Sequence, residues 1–160
     1  MYVHRSLEEQ DLEIISSFPQ TEKELKYVSP KFTYPLTPSQ ILQISEDRLE
    51  LTVVLDQRTS EVVGYANIYR DNSDESVCWL GNVIVSPIYR GQGAAPYLIE
   101  VMLSKAKYNL GYHWVRLACH STNSRGLAFY TKQGFKPFDI KLMNFGNERL
   151  ITIHMHKELI

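Results

Sequence analysis

The sequence predicts an α/β chain of mixed order: one central, mixed, mostly antiparallel twisted sheet of about six to seven strands flanked by about four helices. Residues 49–56, 62–70 and 77–86 are successive runs rich in β-branched and aromatic residues, joined by short polar turns. After Gly93 the pattern changes to helix and strand in alternation, and each helical stretch closes on a glycine, Gly111 or Gly134. No internal repeat or linker break divides the chain, so residues 1–160 read as a single domain.

Residues 2–6 alternate weakly as a first strand. They run into Ser6-Leu-Glu-Glu, whose early acids suit the positive end of a helix. Between Phe18 and Pro38, prolines interleave with Phe18, Tyr27, Phe32 and Tyr34 around one short helix at residues 21–28. Such a segment either walls a site or uses its aromatics as local core. Another helix starts near Pro38. The turns around residues 56–60 and 71–75 are hairpin connections that make the next three strands an antiparallel meander, and the acids of the second turn read as solvated rather than metal-binding. Leu98, Ile99, Met102, Leu103, Ala106 and Leu110 define the strongest helix. A strand at residues 113–120, a helix at 124–133 and strands at 135–143 and 149–156 complete the order.

Composition narrows the function classes. Seventeen basic against eighteen acidic residues leave a net charge of -1, so no global field favours nucleic acid or an anionic membrane. Apolar stretches are strand-sized and the first residues lack a signal-peptide pattern, which predicts a cytoplasmic protein. Cys78 and Cys119 lie inside apolar runs and read as buried thiols. His154 and His156 share a face of the last strand, but no third ligand accompanies them; they read as a polar strand face, and no metal is expected.

The chemistry concentrates after residue 83. Tyr89-Arg-Gly-Gln-Gly-Ala-Ala lies where a strand turns into the long helix, so consecutive N–H groups face outward at the positive helix end. Gly91 and Gly93 let a phosphate approach the main chain, and Arg90 adds a charged donor. A P-loop would need Lys-Ser/Thr after the glycines. A dinucleotide fingerprint would need a small residue where Pro96 stands and an acid at the end of the next strand. Neither is present. Arg90, Gly93 and Ala95, following Val83-Ile84-Val85, match the pattern Q/R-x-x-G-x-G/A of the GCN5-related N-acetyltransferase (GNAT) superfamily. Downstream, Asn123, Ala128 and Tyr130, then Gly134-Phe135, resemble that family's second signature. The resemblance covers about residues 50–156 well.

What the resemblance implies is specific. The fourth and fifth strands splay, and the pantetheine arm of acetyl-CoA lies along Val83, Ile84 and Val85, bonding main-chain groups of Val83 and Val85. The pyrophosphate sits on the N–H groups of Gly91, Gln92, Gly93, Ala94 and Ala95 beside Arg90. Asn123 bonds pantetheine or caps the helix that follows it. Tyr130 protonates the departing thiolate. Pro96 has no N–H to add to the cradle, which predicts slightly weakened coenzyme binding. The glutamate that serves as base in some relatives corresponds to Ala118. That leaves His120 on the same strand face, weaker candidates in Asn82, Glu22 and Glu24, or a water chain. The expected activity is transfer of acetyl from acetyl-CoA to a primary amine of a small molecule or peptide. Alternatives are a non-catalytic acyl-CoA-binding module and a longer acyl donor such as succinyl-CoA, which an extra cationic residue near the site would favour. A homodimer is the expected assembly.

Overall fold

The computed structural model describes Met1–Ile160. Strands β1 (Tyr2–Ser6), β2 (Leu49–Asp56), β3 (Val62–Arg70), β4 (Val77–Val85), β5 (Trp114–His120), β6 (Lys136–Phe145) and β7 (Glu148–Glu158) form one seven-stranded sheet in the order β1-β2-β3-β4-β5-β7-β6. Every neighbouring pair is antiparallel except β4 with β5. Helices α1 (Leu12–Ser16), α2 (Glu22–Val28), α3 (Pro38–Ser45), α4 (Ala94–Ser104) and α5 (Ser124–Lys132) flank it.

Strand periodicity distributes the core over both faces. Val54, Ala66 and Ile68 meet Leu98, Ile99 and Met102 of α4 on one side, together with Phe135 and Met155. The alternate residues Val53, Leu55, Tyr65 and Ile84 meet Leu12, Ile15, Leu25 and Ile41 of α1, α2 and α3 on the other. Phe18 and Phe32 from the proline-rich segment pack in this second core.

The helix expected to start at Ser6 begins later. Asp11 turns back to accept the Glu8 N–H at 2.8 Å and is gripped by both Arg5 guanidinium nitrogens at 2.7 and 3.0 Å. The resulting 3-10 turn, Glu9–Asp11, leaves only Leu12–Ser16 as α-helix. The long helix is likewise not uniform: Lys105–Asn109 is a π-helical turn, in which the Leu110 N–H bonds Lys105 O at 3.1 Å before Gly111 (φ 75°) ends it. The acids of the second hairpin turn are used locally. Asp71 accepts from the N–H groups of Ser73 and Asp74 and from Trp79 Nε1 at 2.8 Å, and Asp74 accepts from Ser76. His154 and His156 are not on a plain polar face: His156 stacks on Phe138 at 4.5 Å, and His154 meets Trp79 edge-on at 5.0 Å.

Candidate active site

The parallel pairing of β4 with β5 lasts only from Val77↔Trp114 through Trp79↔Arg116. Beyond it both strands continue, β4 to Val85 and β5 to His120, without bonding each other. The gap opens into a cleft of about 950 Å³ whose walls include Val83, Asn82, Ala118, His120, Asn123 and Tyr130.

The edge that β4 presents to this cleft follows from ladder geometry. Ser86 N–H bonds Val63 O on β3 at 2.8 Å, so by the strand period Ile84 also faces β3 and the main-chain groups of Val83 and Val85 face the gap. A bulge sets this register. Tyr65 pairs with Ile84 but Asn67 with Gly81, leaving Asn82 at φ 52°, a left-handed conformation that asparagine tolerates. The Asn82 Oδ1 accepts from Asn67 Nδ2 at 2.9 Å and from Arg48 Nη1 at 3.3 Å, which holds the bulge.

At the mouth, Gly91 (φ 74°) and Gly93 (φ 87°) turn the chain into α4. The Gln92 N–H bonds Tyr89 O, but the N–H groups of Gly91, Gly93, Ala94 and Ala95 have no acceptor in the protein. Pro96 lies in the first turn of α4 and adds none. Tyr89 anchors the loop, its hydroxyl donating to Asp56 Oδ2 at 2.9 Å, and Tyr2 donates to Gln92 O at 2.8 Å. Bonds from the Arg58 side chain and main chain, and then from Tyr89, draw the Asp56 carboxyl down to about 2. Arg90 points to α2, where its Nη2 donates to Glu24 Oε1 at 2.8 Å. Glu24 is therefore committed to an ion pair at the loop, and neither it nor Glu22 lines the cleft.

The opposite wall belongs to β5 and α5. Asn123 caps α5, its Oδ1 accepting from Gly126 N–H at 2.9 Å, which leaves the Nδ2 as its spare polar atom. A side chain at 126 would collide with that amide, since a Cβ there would lie 2.4 Å from the Asn123 Nδ2. The Tyr130 hydroxyl has no hydrogen-bond partner in the protein; burial and neighbouring Cys119 push its pKa up, so it holds its proton through neutral pH. Burial also pushes the thiols up, Cys78 to about 12 and Cys119 to about 11, and both cysteines are free. His120 is tied back: its Nδ1 accepts from Thr122 N–H at 3.1 Å and lies 2.8 Å from Thr122 Oγ1, while its ring packs 5.4 Å from that of Tyr27. The buried Thr152 hydroxyl, paired across the strands with His120, has no partner.

Helix α2 crosses above. Besides the Glu24–Arg90 pair, Tyr27 hydroxyl meets Thr122 Oγ1 at 2.9 Å and Lys26 pairs with Glu148 of β7. The proline-rich segment thus supplies both local core and a wall of the cleft. Sequence reasoning missed Arg48 and Asn67 beneath that wall. An amide inside the otherwise apolar run of β3 was the available signal for Asn67; Arg48 carried none.

A sequence profile described as "Acetyltransferase (GNAT) family" matches residues 15–135. Among solved structures, a GNAT-family acetyltransferase from Bacillus anthracis is similar at 17% identity and TM-score 0.80, covering 99% of this chain and 95% of that one. Spermidine N-acetyltransferase from Vibrio cholerae, solved with CoA and spermine, is similar at 20% identity and TM-score 0.79, over 99% and 95% of the two chains. The ribosomal-protein-S18-alanine N-acetyltransferase of Escherichia coli is similar at 19% identity and TM-score 0.70, over 99% and 94%. No helix is long and apolar enough to cross a membrane. With the profile matched across most of the chain, the splayed strands and glycine-rich helix start are those of an acetyltransferase, and the protein belongs to the GNAT family.

Proposed function

We propose that the protein transfers acetyl from acetyl-CoA to a primary amine by direct attack in a ternary complex, as one domain acting in the cytoplasm. The observation that carries this reading is the unpaired β4 edge at Val83 and Val85, opening on the cleft that Tyr130 lines. A pantetheine amide can pair with that edge as a short strand would. The unpaired N–H groups of Gly91, Gly93, Ala94 and Ala95 suit a pyrophosphate, with Gln92 and Arg90 beside them and Ala95 the last donor before Pro96. The Asn123 Nδ2 suits a pantetheine carbonyl. The neighbour solved with CoA and spermine supports a thioester donor and an amine acceptor.

In the reaction the amine nitrogen forms a bond to the acetyl carbon and the carbon–sulfur bond breaks. The amine loses a proton to water, the thiolate takes one from the Tyr130 hydroxyl, and the tyrosinate regains its proton from solvent, so the net proton count is unchanged. His120 acts as base only if the Thr122 N–H releases its Nδ1, because accepting that bond places the ring proton on Nε2. The reading therefore sends the amine proton to water and uses His120, with Tyr27 and Thr122, to shape the wall. The same absence of a free base supports a second reading, a domain that holds acyl-CoA without turnover.

Thiol release from acetyl-CoA, measured against amines, amino acids and short peptides, separates the two. Turnover with one acceptor that falls at least ~10-fold in Tyr130→Phe, with coenzyme affinity kept, is the expected result. Coenzyme binding without turnover on any acceptor would establish the second reading. The expected homodimer would use the outer face of β6 and β7, where Ile140, Leu142 and Ile151 are exposed.

A further inference from the structure

Arg48 follows α3 and places its guanidinium on the floor of the cleft, between Tyr69, Gly81 and Asn82. It is half-buried, yet no carboxylate lies within ion-pair distance of it; the ion pairs of this protein all involve other residues. What holds it is neutral. Its Nη1 donates to Asn67 Oδ1 at 2.9 Å and to Asn82 Oδ1 at 3.3 Å, and its Cζ lies 4.1 Å from the Tyr69 ring centre. Asn67 is itself fixed, donating to Tyr65 Oη and Asn82 Oδ1, both at 2.9 Å.

The site is shaped around this cation. A Cβ at Gly81 would lie 2.3 Å from Arg48 Nη1 and 2.7 Å from Asn67 Oδ1, so only glycine leaves the guanidinium its place. The remaining donors, Nε and Nη2, have no acceptor in the protein and are not sealed from solvent. A burial-stressed cation whose free donors form a planar fork matches one partner best, an oxyanion bound through two parallel hydrogen bonds. The rest of the lining agrees in sign: Lys31 and Arg70 join Arg48, with Lys26 already paired to Glu148, against Asp47 and Asp71. Of these acids, Asp71 is already engaged by Trp79 and Arg116.

Resting on the acetyl-transfer reading above, we infer that Arg48 selects the acceptor: it docks a carboxylate carried by the amine substrate, so the acceptors are amino-acid-like anions rather than polyamines. The other source of a carboxylate in this cleft is a dicarboxylic acyl group on the coenzyme. An acetyl group has no charge to read, and the chain belongs to an acetyltransferase family, which favours the acceptor as the source.

The test pairs acetyl-CoA with each common α-amino acid and with its carboxamide, adds spermidine, and adds succinyl-CoA with the carboxamides. Wild type, Arg48→Gln and Arg48→Lys are compared, with acetyl-CoA affinity measured by calorimetry for each. The expected result is kcat/KM ~10- to 100-fold higher for the best amino acid than for its amide. That ratio should collapse in Arg48→Gln through KM and recover only partly in Arg48→Lys, while acetyl-CoA affinity changes by far less than the ratio, because the shorter Asn67–Asn82 bond still holds the bulge behind the coenzyme edge. Equal use of acid and amide by wild type, or preference for spermidine, overturns the proposal, and this comparison needs no variant to fold. Arg48-dependent turnover of succinyl-CoA with the amides, without discrimination among acceptors, overturns it in favour of the acyl group. If no amine turns over, the catalytic reading has failed. The same acid and amide pairs titrated into CoA-saturated protein then decide Arg48 separately, by whether the acid binds more tightly and loses that advantage in Arg48→Gln.

Discussion

Asn82 and Asp56 show how single side chains set the geometry of this cleft. Asn82 takes a left-handed backbone inside a strand, and its Oδ1 gathers bonds from Asn67 and Arg48 that keep the bulge where β4 meets the gap. Asp56, at the end of β2, receives Arg58 and the Tyr89 hydroxyl and so ties the glycine-rich loop to the sheet. Its folded-state pKa of about 2 lies below the ordinary 3.8, so the ionised form binds better in the folded protein. The stability this supplies is complete above the unfolded value and is lost as pH falls from about 4 toward 2. Thermal melts between these pH values should show that loss in wild type and a smaller one in Asp56→Asn, which should already melt lower at neutral pH. Parallel pH profiles would remove Asp56 as the cause. At this scale Arg90, Gly93, Asn123 and Tyr130 stand out in the sequence because they match the spacing of the GNAT signatures, and their roles toward the coenzyme belong to the proposed function. Arg48 was not, since its partners Asn67, Tyr69 and Asn82 come from other strands and only the sheet brings them under it.

Among the elements, α4 and α2 divide the work at the cleft. The first turn of α4 offers the N–H groups of Ala94 and Ala95 and then stops at Pro96, whose ring fits the first turn without distorting it. Pro96→Ala restores one donor at the same place. It should tighten acetyl-CoA binding about two- to tenfold by calorimetry, with little change in melting temperature. An unchanged dissociation constant would mean that this amide never faces the diphosphate. The sequence predicts α2 as a short helix in a segment that either walls a site or packs as local core. Its role as a strap could not be read, because Glu24, Tyr27 and Lys26 find Arg90, Thr122 and Glu148 at sequence separations of 66, 95 and 122. The helix boundaries that differed have a more local cause. Arg5 on β1 recruits Asp11 and tightens the first turn, and the π-helical turn at Lys105–Asn109 keeps the apolar spacing of an ordinary helix.

Over the whole molecule, the sheet separates two cores, and the cleft opens where β4 and β5 part. One core is capped by α4 with the glycine-rich loop at its start; the other is roofed by α1, α2 and α3, from which the cleft wall descends. The long hairpin of β6 and β7 extends past both. There Ile140 is 69% and Leu142 54% exposed, facing Ile153 and Ile151 across the ladder, on a strand with one unpaired edge. Sedimentation at micromolar concentration should find a dimer in wild type and a monomer when Ile140 and Leu142 are both replaced by lysine. A wild-type monomer throughout would remove the dimer.

The order of strands and helices, the glycine-rich start of α4 with its unpaired N–H groups, and Asn123 at the head of α5 were determined by the sequence alone. Their signals are local: periodicity, glycine punctuation and fixed spacing act over a few residues. Tertiary structure alone decided where β4 and β5 part, that the His120 ring packs against Tyr27 of α2, and that an unpaired Arg48 lies on the floor of the cleft. These depend on contacts between distant segments and on the main-chain groups a sheet leaves unpaired, and no pattern along one strand records which neighbour it will lack.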